Sequence, residues 1–237
     1  MKLPIRKKRS YLLSVLYKAL FNPVTRPLGQ KAKVEMFLYL SWVFERLAAN
    51  SSYQLYSTPD HPGRKNTWEL MEKHLKPGDS VLDMGCSRGY YANLIATRTR
   101  KVVGVDHNAA SIEIARKTYQ RANLEFHNTD AFEYLEKNGE KFDLLVLTHV
   151  LEHLEDPVEF LSRFKRFFQN VYIEVPDFEN TILNQVRKDL GVPFIYSDED
   201  HKWEFSHAEL LEVVTKAGFR VLEEKRAWGI QTLYLQA

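Results

Sequence analysis

From residue 80 onward the chain alternates between short apolar runs and longer stretches with helical periodicity. The apolar runs predict strands at 80–84, 102–105, 123–127, 142–147 and 170–175. Helical patterns fill the intervals at 89–98, 109–120, 130–137 and 157–168. Strand–helix alternation is typical of a parallel sheet with right-handed crossovers. We therefore expect an α/β fold with helices on both faces of the sheet.

The carboxyl-terminal end departs from this alternation. A helix is predicted at 207–217, and two strands follow at 219–226 and 231–236, joined by a turn around Gly229. Two successive strands with so short a connection form an antiparallel hairpin.

The amino-terminal end also differs. Residues 10–21 and 31–49 predict helices, the polar stretch 50–66 predicts a loop, and 67–75 predicts a helix that stops before Pro77. We expect a helical, basic extension or lid at residues 1–60, followed by the α/β domain at 61–237.

Composition supports one domain with a sizeable core, because 44% of the residues are hydrophobic and 13% are aromatic. The lone cysteine, Cys86, excludes a disulfide framework. This favours a reducing compartment, and we expect a cytoplasmic protein.

Charge is distributed unevenly along the chain. Residues 1–34 contain nine Lys or Arg and no acid, whereas the rest is acidic on balance. A basic arm on an acidic body predicts an anionic partner, such as the headgroups at a membrane surface. A solvated arm is the equally weighted alternative. Nucleic acid is not the expected partner, because the body lacks a broad basic surface.

A glycine-containing loop follows the first predicted strand, and acids follow the next two. The loop at 83–89 reads DMGCSRG, Asp106 ends the second strand, and Asp130 follows the third. Ligands of open parallel sheets bind beyond the carboxyl ends of the strands. A carboxylate at the end of the second strand suits ribose hydroxyls, and Asp130 suits an exocyclic amine. No third glycine follows Gly89 at the dinucleotide spacing, so we expect a nucleoside without a diphosphate.

Four successive segments resemble motifs of class I S-adenosylmethionine-dependent methyltransferases. They are VLDMGCSRGYYA, VVGVD, NTDAFEY and FDLLVLTHVLEHLEDP, and the later HKWEFSHAELLEVVTKAGF adds to the likeness over residues 67–237. The resemblance is strongest to ubiquinone-biosynthesis O-methyltransferases and weaker to small-RNA 3′-end 2′-O-methyltransferases. It implies S-adenosyl-L-methionine as donor and a Rossmann-like sheet of seven strands, mostly parallel, with an antiparallel last strand.

The same resemblance implies a set of donor-binding residues. Asp83, Gly85 and Gly89 are expected beside the methionine part, Asp106 at the ribose, and Asp130 with Ala131 at the adenine. Neighbouring positions complete the expected donor site: Cys86, His107 and Thr148. The family usually has glycine where this chain has Ser87, so a positive φ there would be strained. Cys86 is expected to pack and not to act as a nucleophile.

Histidines and an acid cluster just after the fourth predicted strand. On a helical turn His149, Glu152 and His153 would share one face, and His201 follows the fifth strand. In the two resembling families the corresponding residues are thought to hold a magnesium ion. His149 stands where an acid is usual, which favours a transition metal over magnesium.

Three interpretations of this cluster stay open. The four residues hold a divalent metal, or His149 or His153 acts as a metal-free general base, or His153 has a structural role. The inverted zinc-protease pattern His-x-x-Glu-His is disfavoured, because a strand precedes it and Pro157 follows closely.

The expected reaction is methylation of a hydroxyl on a small-molecule acceptor. Tyr53 and Arg64 are expected to close over the site. Aromatic residues around 177–206 are expected to wall the acceptor: Phe178, Phe194, Tyr196, Trp203 and Phe205. The rival functions are an RNA 2′-O-methyltransferase, a non-catalytic donor-binding relative and a nicotinamide-dependent dehydrogenase, which the glycine spacing disfavours.

Overall fold

The computed structural model describes residues 11–25, 27–192 and 198–237. The basic residues before position 11, Arg26, Phe194 and Tyr196 lie outside the described residues. The seven strands are β1 Ser80–Met84, β2 Lys101–Asp106, β3 Leu124–Asn128, β4 Phe142–Thr148, β5 Phe168–Pro176, β6 Arg220–Ala227 and β7 Ile230–Gln236. The helices are α1 Tyr11–Thr25, α2 Gln30–Leu55, α3 Pro62–Met71, α4 Tyr90–Ile95, α5 Ala109–Thr118, α6 Ala131–Asn138, α7 Pro157–Phe164, α8 Ile182–Leu190 and α9 His207–Lys216.

The strands form one sheet in the order β3-β2-β1-β4-β5-β7-β6. The first five strands are mutually parallel, and β7 runs antiparallel to both β5 and β6. Strand β1 lies at the centre, where Leu82 pairs with Val103 of β2 and Leu145 of β4. The predicted seven-stranded Rossmann-like sheet with an antiparallel last strand is confirmed.

Alternate residues of the strands build two cores on opposite faces of the sheet. Leu82 and Leu145 face one core, which includes Phe160 of α7. Val81 faces the other core, which includes Ile95 of α4. Central parallel strands that are covered on both faces read as continuous apolar runs, which is why the sequence located them closely. Helices on both faces are confirmed.

The predicted loop at 50–66 is wrong at both of its ends. Helix α2 continues to Leu55, and its two serines are accommodated because the Ser51 hydroxyl donates to the Leu47 carbonyl and the Ser52 hydroxyl donates to the Ala49 carbonyl. Helix α3 begins at Pro62, since proline suits the first position of a helix. The division into residues 1–60 and 61–237 stays a prediction.

Among the described residues, no helix combines the length and the apolar character that crossing a bilayer requires.

The loop after β1 packs over Gly104 of β2, whose missing side chain leaves space on the sheet. A Cβ at Gly104 would lie 2.8 Å from Phe126 and 2.9 Å from the Cys86 sulfur. The bare backbone of Gly104 therefore lets the Phe126 ring and the buried Cys86 pack directly on the sheet.

We expect Gly104→Ala to lower the free energy of unfolding by about 1–3 kcal/mol, because the added methyl group would clash with Phe126 and Cys86. Urea unfolding measures the change. Gly78→Ala is the matched control, since a Cβ there would meet nothing within 4 Å. Equal stability of the two variants would contradict the close packing of Phe126 and Cys86 over Gly104.

Candidate functional site

The carboxylate of Asp106 joins the loops that follow β1 and β2. Its Oδ2 accepts the Ser87 N–H at 2.8 Å, and its Oδ1 accepts the Asn108 N–H at 2.8 Å. The side chain is only 9% exposed. Each carboxylate oxygen can accept a further bond, so the group is preorganised to receive two hydroxyls.

The loop after β1 is held in a left-handed conformation at three positions. Gly85, Ser87 and Gly89 have φ of 70°, 48° and 78°. A Cβ at Gly85 would lie 2.7 Å from Val150, and one at Gly89 would lie 2.6 Å from Phe126. The positive φ expected for Ser87 is present, and a serine there carries backbone strain that glycine would not. This close packing brings the backbone of the loop to the open edge of the sheet.

The side chain of Cys86 packs beneath this loop. It is buried, and burial raises the pKa of its thiol well above the usual range. A thiol that stays protonated is a poor nucleophile, in keeping with the packing role expected from the sequence.

Asp83, near the end of β1, is a buried acid without a compensating partner. It is 1% exposed, and both carboxylate oxygens lack a hydrogen bond of normal geometry within the described residues. Burial raises its pKa to about 7, and the nearby Asp106 adds to the shift. An unpartnered buried carboxylate facing a cavity is suited to a cationic ligand.

Three adjoining cavities open at this edge of the sheet. The small pocket, about 110 Å³, is lined by Gly85, Asp106, His107 and Asp130 among others. The central cavity, about 650 Å³, shares Gly85 with it. The outer cavity, about 510 Å³, shares His149 with the central cavity. The cavities are therefore contiguous through residues that they have in common.

The expected donor-binding residues are distributed over these cavities. Four of them line the central cavity: Asp83, Gly85, Cys86 and Thr148. Gly89, the residue before α4, is not among the described residues that line these cavities, and Ala131 begins α6. Asp130 uses Oδ1 to accept the Phe132 N–H at 2.7 Å and so caps α6.

A more open groove of about 870 Å³ lies along the edge strand β3, with Lys101, Arg116 and Glu125 in its wall. It shares Thr129 with the small pocket and contains none of the expected catalytic residues. Its mostly polar walls make it a weaker candidate for a specific site than the three contiguous cavities, whose walls are mostly apolar.

His149 lies between two buried carboxylates. Its Nδ1 is 3.2 Å from Glu152 Oε1, and its Nε2 is 3.5 Å from Glu174 Oε1. Burial lowers the pKa of His149, but the hydrogen bonds to both carboxylates outweigh that effect and raise it to about 10. The imidazole is therefore cationic at neutral pH and is poorly suited to accept a proton.

The helical turn expected to align His149 with Glu152 and His153 is wrong. His149 has a φ of 54° and precedes a short 3₁₀ helix at Leu151–His153. His149 keeps its contact with Glu152 and also contacts Glu174, whereas His153 packs against His201, with the two ring centroids 4.8 Å apart.

Three of the four expected metal ligands come together. Glu152, His153 and His201 each offer a ligand atom, and these atoms lie within 4.8 Å of one another. His149 is not in that group, which corrects the expected set of four. Glu152 Oε2 is buried and has no partner within the described residues.

Neighbouring groups fix the orientation of both histidines. The His153 Nδ1 lies 3.2 Å from the Asp200 carbonyl, which can only accept, so Nδ1 carries the proton and Nε2 has a free lone pair. The His201 Nδ1 lies 2.9 Å from Glu204, and its Nε2 lies 4.0 Å from Glu152. Second partners of this kind are typical of metal-bound histidines.

Sequence analysis missed Glu174, which organises the floor of the site. It is fully buried on β5 and accepts from the Thr67 hydroxyl at 2.6 Å and the Tyr172 hydroxyl at 3.1 Å. Its backbone carbonyl also accepts the His149 N–H at 2.9 Å. Its sequence does carry one hint, since Glu174 is an acid within the otherwise apolar run NVYIEV.

Arg64 and Tyr53 lie in the wall of the central cavity, as expected. The Arg64 guanidinium lies 5.6 Å from the Tyr53 ring and 5.0 Å from the Tyr90 ring. Sequence analysis missed Trp228, which is 84% exposed at the β6–β7 turn and also lines this cavity.

The expected aromatic wall of the acceptor site is largely wrong. Phe178 and Phe205 are buried, at 9% and 4% exposure, and line none of the three cavities. Trp203 donates its indole N–H to the Leu154 carbonyl. The outer cavity is walled by α2, one of the amino-terminal helices over which the acceptor is also expected to enter, through Trp42, Arg46 and other residues of that helix.

This sheet order, with a glycine loop and a buried acid at the ends of β1 and β2, defines an S-adenosylmethionine-dependent methyltransferase. Residues 44–224 match the family model described as a methyltransferase domain, and the chain belongs to that family.

Relatives of known name support the class and differ in acceptor. The chain is 32% identical over 149 residues to a probable S-adenosylmethionine-dependent methyltransferase of Mycolicibacterium smegmatis, covering 62% of this chain and 54% of that protein. It is 31% identical over 97 residues to the ubiquinone biosynthesis O-methyltransferase of Hahella chejuensis, covering 40% of this chain and 41% of that protein. The chain thus spans about half the length of these relatives or less.

Solved structures share the fold. A chain from the complex between the Haloferax volcanii Trm112 methyltransferase activator and a methyltransferase superposes with a TM-score of 0.56 at 20% identity, covering 74% of this chain and 94% of that one. Magnesium protoporphyrin IX methyltransferase from Synechocystis superposes with a TM-score of 0.54 at 20% identity, covering 72% and 78%.

We expect the free protein to lose stability as pH rises through 7, in part because of Asp83. The folded protein keeps Asp83 protonated up to a pKa of about 7, whereas the unfolded chain releases that proton near 3.8. Unfolding therefore releases a proton between these values, and the contribution of neutral Asp83 is full at low pH and lost above pH 7.

Asp83→Asn removes this titration. Its stability relative to the unchanged protein should rise between about pH 5 and about pH 8, as measured by urea unfolding at each pH. His149 contributes a similar pH dependence to the free energy of unfolding of both proteins. Subtracting one free energy from the other therefore leaves the contribution of Asp83. A difference that does not change with pH would contradict the assignment.

Proposed function

We propose that this methyltransferase transfers the methyl group of S-adenosyl-L-methionine to a hydroxyl group of a small molecule. The supporting observation is the arrangement of the three cavities. The donor occupies the small pocket and the central cavity, and the acceptor enters the outer cavity, where histidines and a buried carboxylate meet.

Each part of the donor has a chemically suited place in this arrangement. The ribose hydroxyls donate to Asp106, and the adenine lies in the small pocket beside Asp130. The methionine ammonium lies near Asp83, whose uncompensated burial it relieves. The methyl group then points towards His149, which the central and outer cavities share.

A hydroxyl acceptor must lose its proton during transfer, and His153 is suited to take it. Its Nδ1 donates to the Asp200 carbonyl, which leaves Nε2 unprotonated. The sequence offered both His149 and His153 as bases. We assign the base to His153, because the two carboxylates beside His149 keep that imidazole protonated. His149 then acts as a positioning residue, and its cationic ring stabilises developing negative charge on the acceptor oxygen.

The group Glu152, His153 and His201 also fits a divalent metal. Two imidazoles and one carboxylate favour a transition metal over magnesium. The orphan oxygen Glu152 Oε2 would gain a ligand by binding it. A bound cation would lower the pKa of the acceptor hydroxyl and orient it.

The basic charge of residues 1–34 supports a peripheral contact with an anionic surface. We infer a cytoplasmic enzyme that works beside such a surface.

We expect Asp106→Ala to weaken donor binding about ten- to hundredfold, because two hydrogen bonds to a charged group are lost. Calorimetric titration with S-adenosylhomocysteine measures the change. Glu125→Ala, an exposed acid on β3, is the control. Asp106→Asn separates binding from loop folding, since the amide oxygen can still accept one backbone N–H. Unchanged affinity in a folded Asp106→Ala protein would refute the ribose assignment.

We expect His153→Ala to reduce turnover about a hundredfold or more while donor affinity stays nearly constant. Turnover is followed by mass spectrometry on a panel of phenols, catechols, amines and thiols, which also identifies the methylated atom. Methylation confined to nitrogen or sulfur acceptors would contradict the proposed function, and equal turnover in the variant would remove His153 from the chemistry.

Chelation distinguishes the two roles of the histidine cluster. If a metal acts, chelator abolishes turnover, added Mn²⁺ restores it, and Glu152→Gln lowers Mn²⁺ affinity in the absence of substrate. If His153 acts as a metal-free base, chelator has no effect on turnover, and the pH–rate profile of His153→Ala lacks its acidic limb.

A further inference from the structure

Helix α2 has two faces with different surroundings. One face turns to the body of the protein: Leu38 is 4% exposed, and Trp42, Ala49 and Tyr53 line the outer cavity. These positions fall within about 60° of one another around the helix axis, since successive residues are about 100° apart. This face is therefore already used by the fold and the site.

The opposite face of α2 is apolar and exposed. We call it the outward apolar stripe, and its five residues are 40–65% exposed: Phe37, Leu40, Val43, Phe44 and Leu47. At about 100° per residue they fill the half of the helix that points away from Leu38. A surface helix normally shows polar residues on that side. An exposed apolar surface of this size is typical of an interaction site.

The charges around the stripe are of one sign. The acids of α2, Glu35 and Glu45, fall on the body-side half of the helix, whereas Lys33 falls within the arc of the stripe. Residues 1–34 add a run of basic side chains without one acid. Apolar residues accompanied only by positive charge match an anionic lipid surface.

Helix α1 has the same character. Its residues Tyr11, Leu12, Val15 and Tyr17 are 61–78% exposed, and Lys18 is its only charged residue. Ser14 and Lys18 share one side of this helix, and the apolar residues that cover the rest of it favour burial away from water. Like the stripe, it is suited to the boundary between headgroups and acyl chains.

We propose that the outward apolar stripe of α2 docks the protein on an anionic membrane surface, with α1 and the basic arm adding to the contact. A second copy of the chain is a poorer occupant. Pairing two stripes about a twofold axis would bring their basic surroundings together without an acid to offset them.

This orientation bears on the acceptor, and here the inference rests on the proposed function. The helix that lies on the membrane also forms the wall of the outer cavity through its opposite face. The outer cavity therefore lies across this helix from the bilayer, at a distance of about one helix diameter, ~10 Å. An amphiphile with a hydroxylated head and an apolar tail can present its head to the outer cavity while the tail stays in lipid.

Vesicle sedimentation of the full chain tests the docking surface directly. The probes are phosphatidylcholine vesicles with and without phosphatidylglycerol. We expect binding to the anionic vesicles that weakens with salt, and a partition coefficient at least about tenfold lower for the double variant Phe44→Glu, Leu47→Glu. The matched control is Ile182→Glu, Leu222→Glu, which adds the same charge at exposed apolar positions outside the stripe.

Neither donor nor acceptor is present in this assay, so its outcome is independent of the proposed reaction. Unchanged thermal unfolding and S-adenosylhomocysteine binding confirm that the variants are folded. Equal loss of vesicle binding in both double variants would overturn the proposal. Absence of vesicle binding by the unchanged protein would also overturn it. If light scattering then shows a dimer that the stripe variant dissociates, a second copy of the chain covers the stripe.

Discussion

The carboxylate of Asp106 accepts one backbone N–H from the loop after β1 and one from the loop after β2. This pair of bonds holds the two loops at a fixed separation, and the rest of the site is arranged around them. The loop after β1 can reach Asp106 because Gly85 and Gly89 adopt positive φ, and because Phe126 and Cys86 pack beneath it against Gly104. The core of the sheet thus determines where the donor binds.

Charge compensation explains the second half of the site. Asp83 is buried without a hydrogen-bond partner in the described part of the chain, and in the proposed reaction a cationic donor would relieve that cost. His149 is held between Glu152 and Glu174, which keeps it cationic and leaves His153 with the free lone pair. Two histidines four residues apart therefore have different hydrogen-bond partners, two carboxylates for His149 and a backbone carbonyl for His153, although the sequence offers both for the same task.

The sheet and the donor loop could be predicted from the sequence because their signals are local. Covered parallel strands are apolar runs, and β1 at 80–84 was located to the residue. The strain at Ser87 was also foreseeable. The path of the chain after β4 was not, because the positive φ of His149 depends on contacts with β5 that lie far away in sequence. Glu174 was missed for the same reason, since its partners Thr67 and Tyr172 come together only in the fold.

A structure of the complex with S-adenosylhomocysteine is the most direct test of the central claim, that the Asp106-linked loops hold the nucleoside. The account predicts both ribose hydroxyls on the Asp106 carboxylate, the adenine in the small pocket beside Asp130, and the ammonium group near Asp83. A complex in which the ribose lies away from Asp106 while the small pocket stays empty would contradict it.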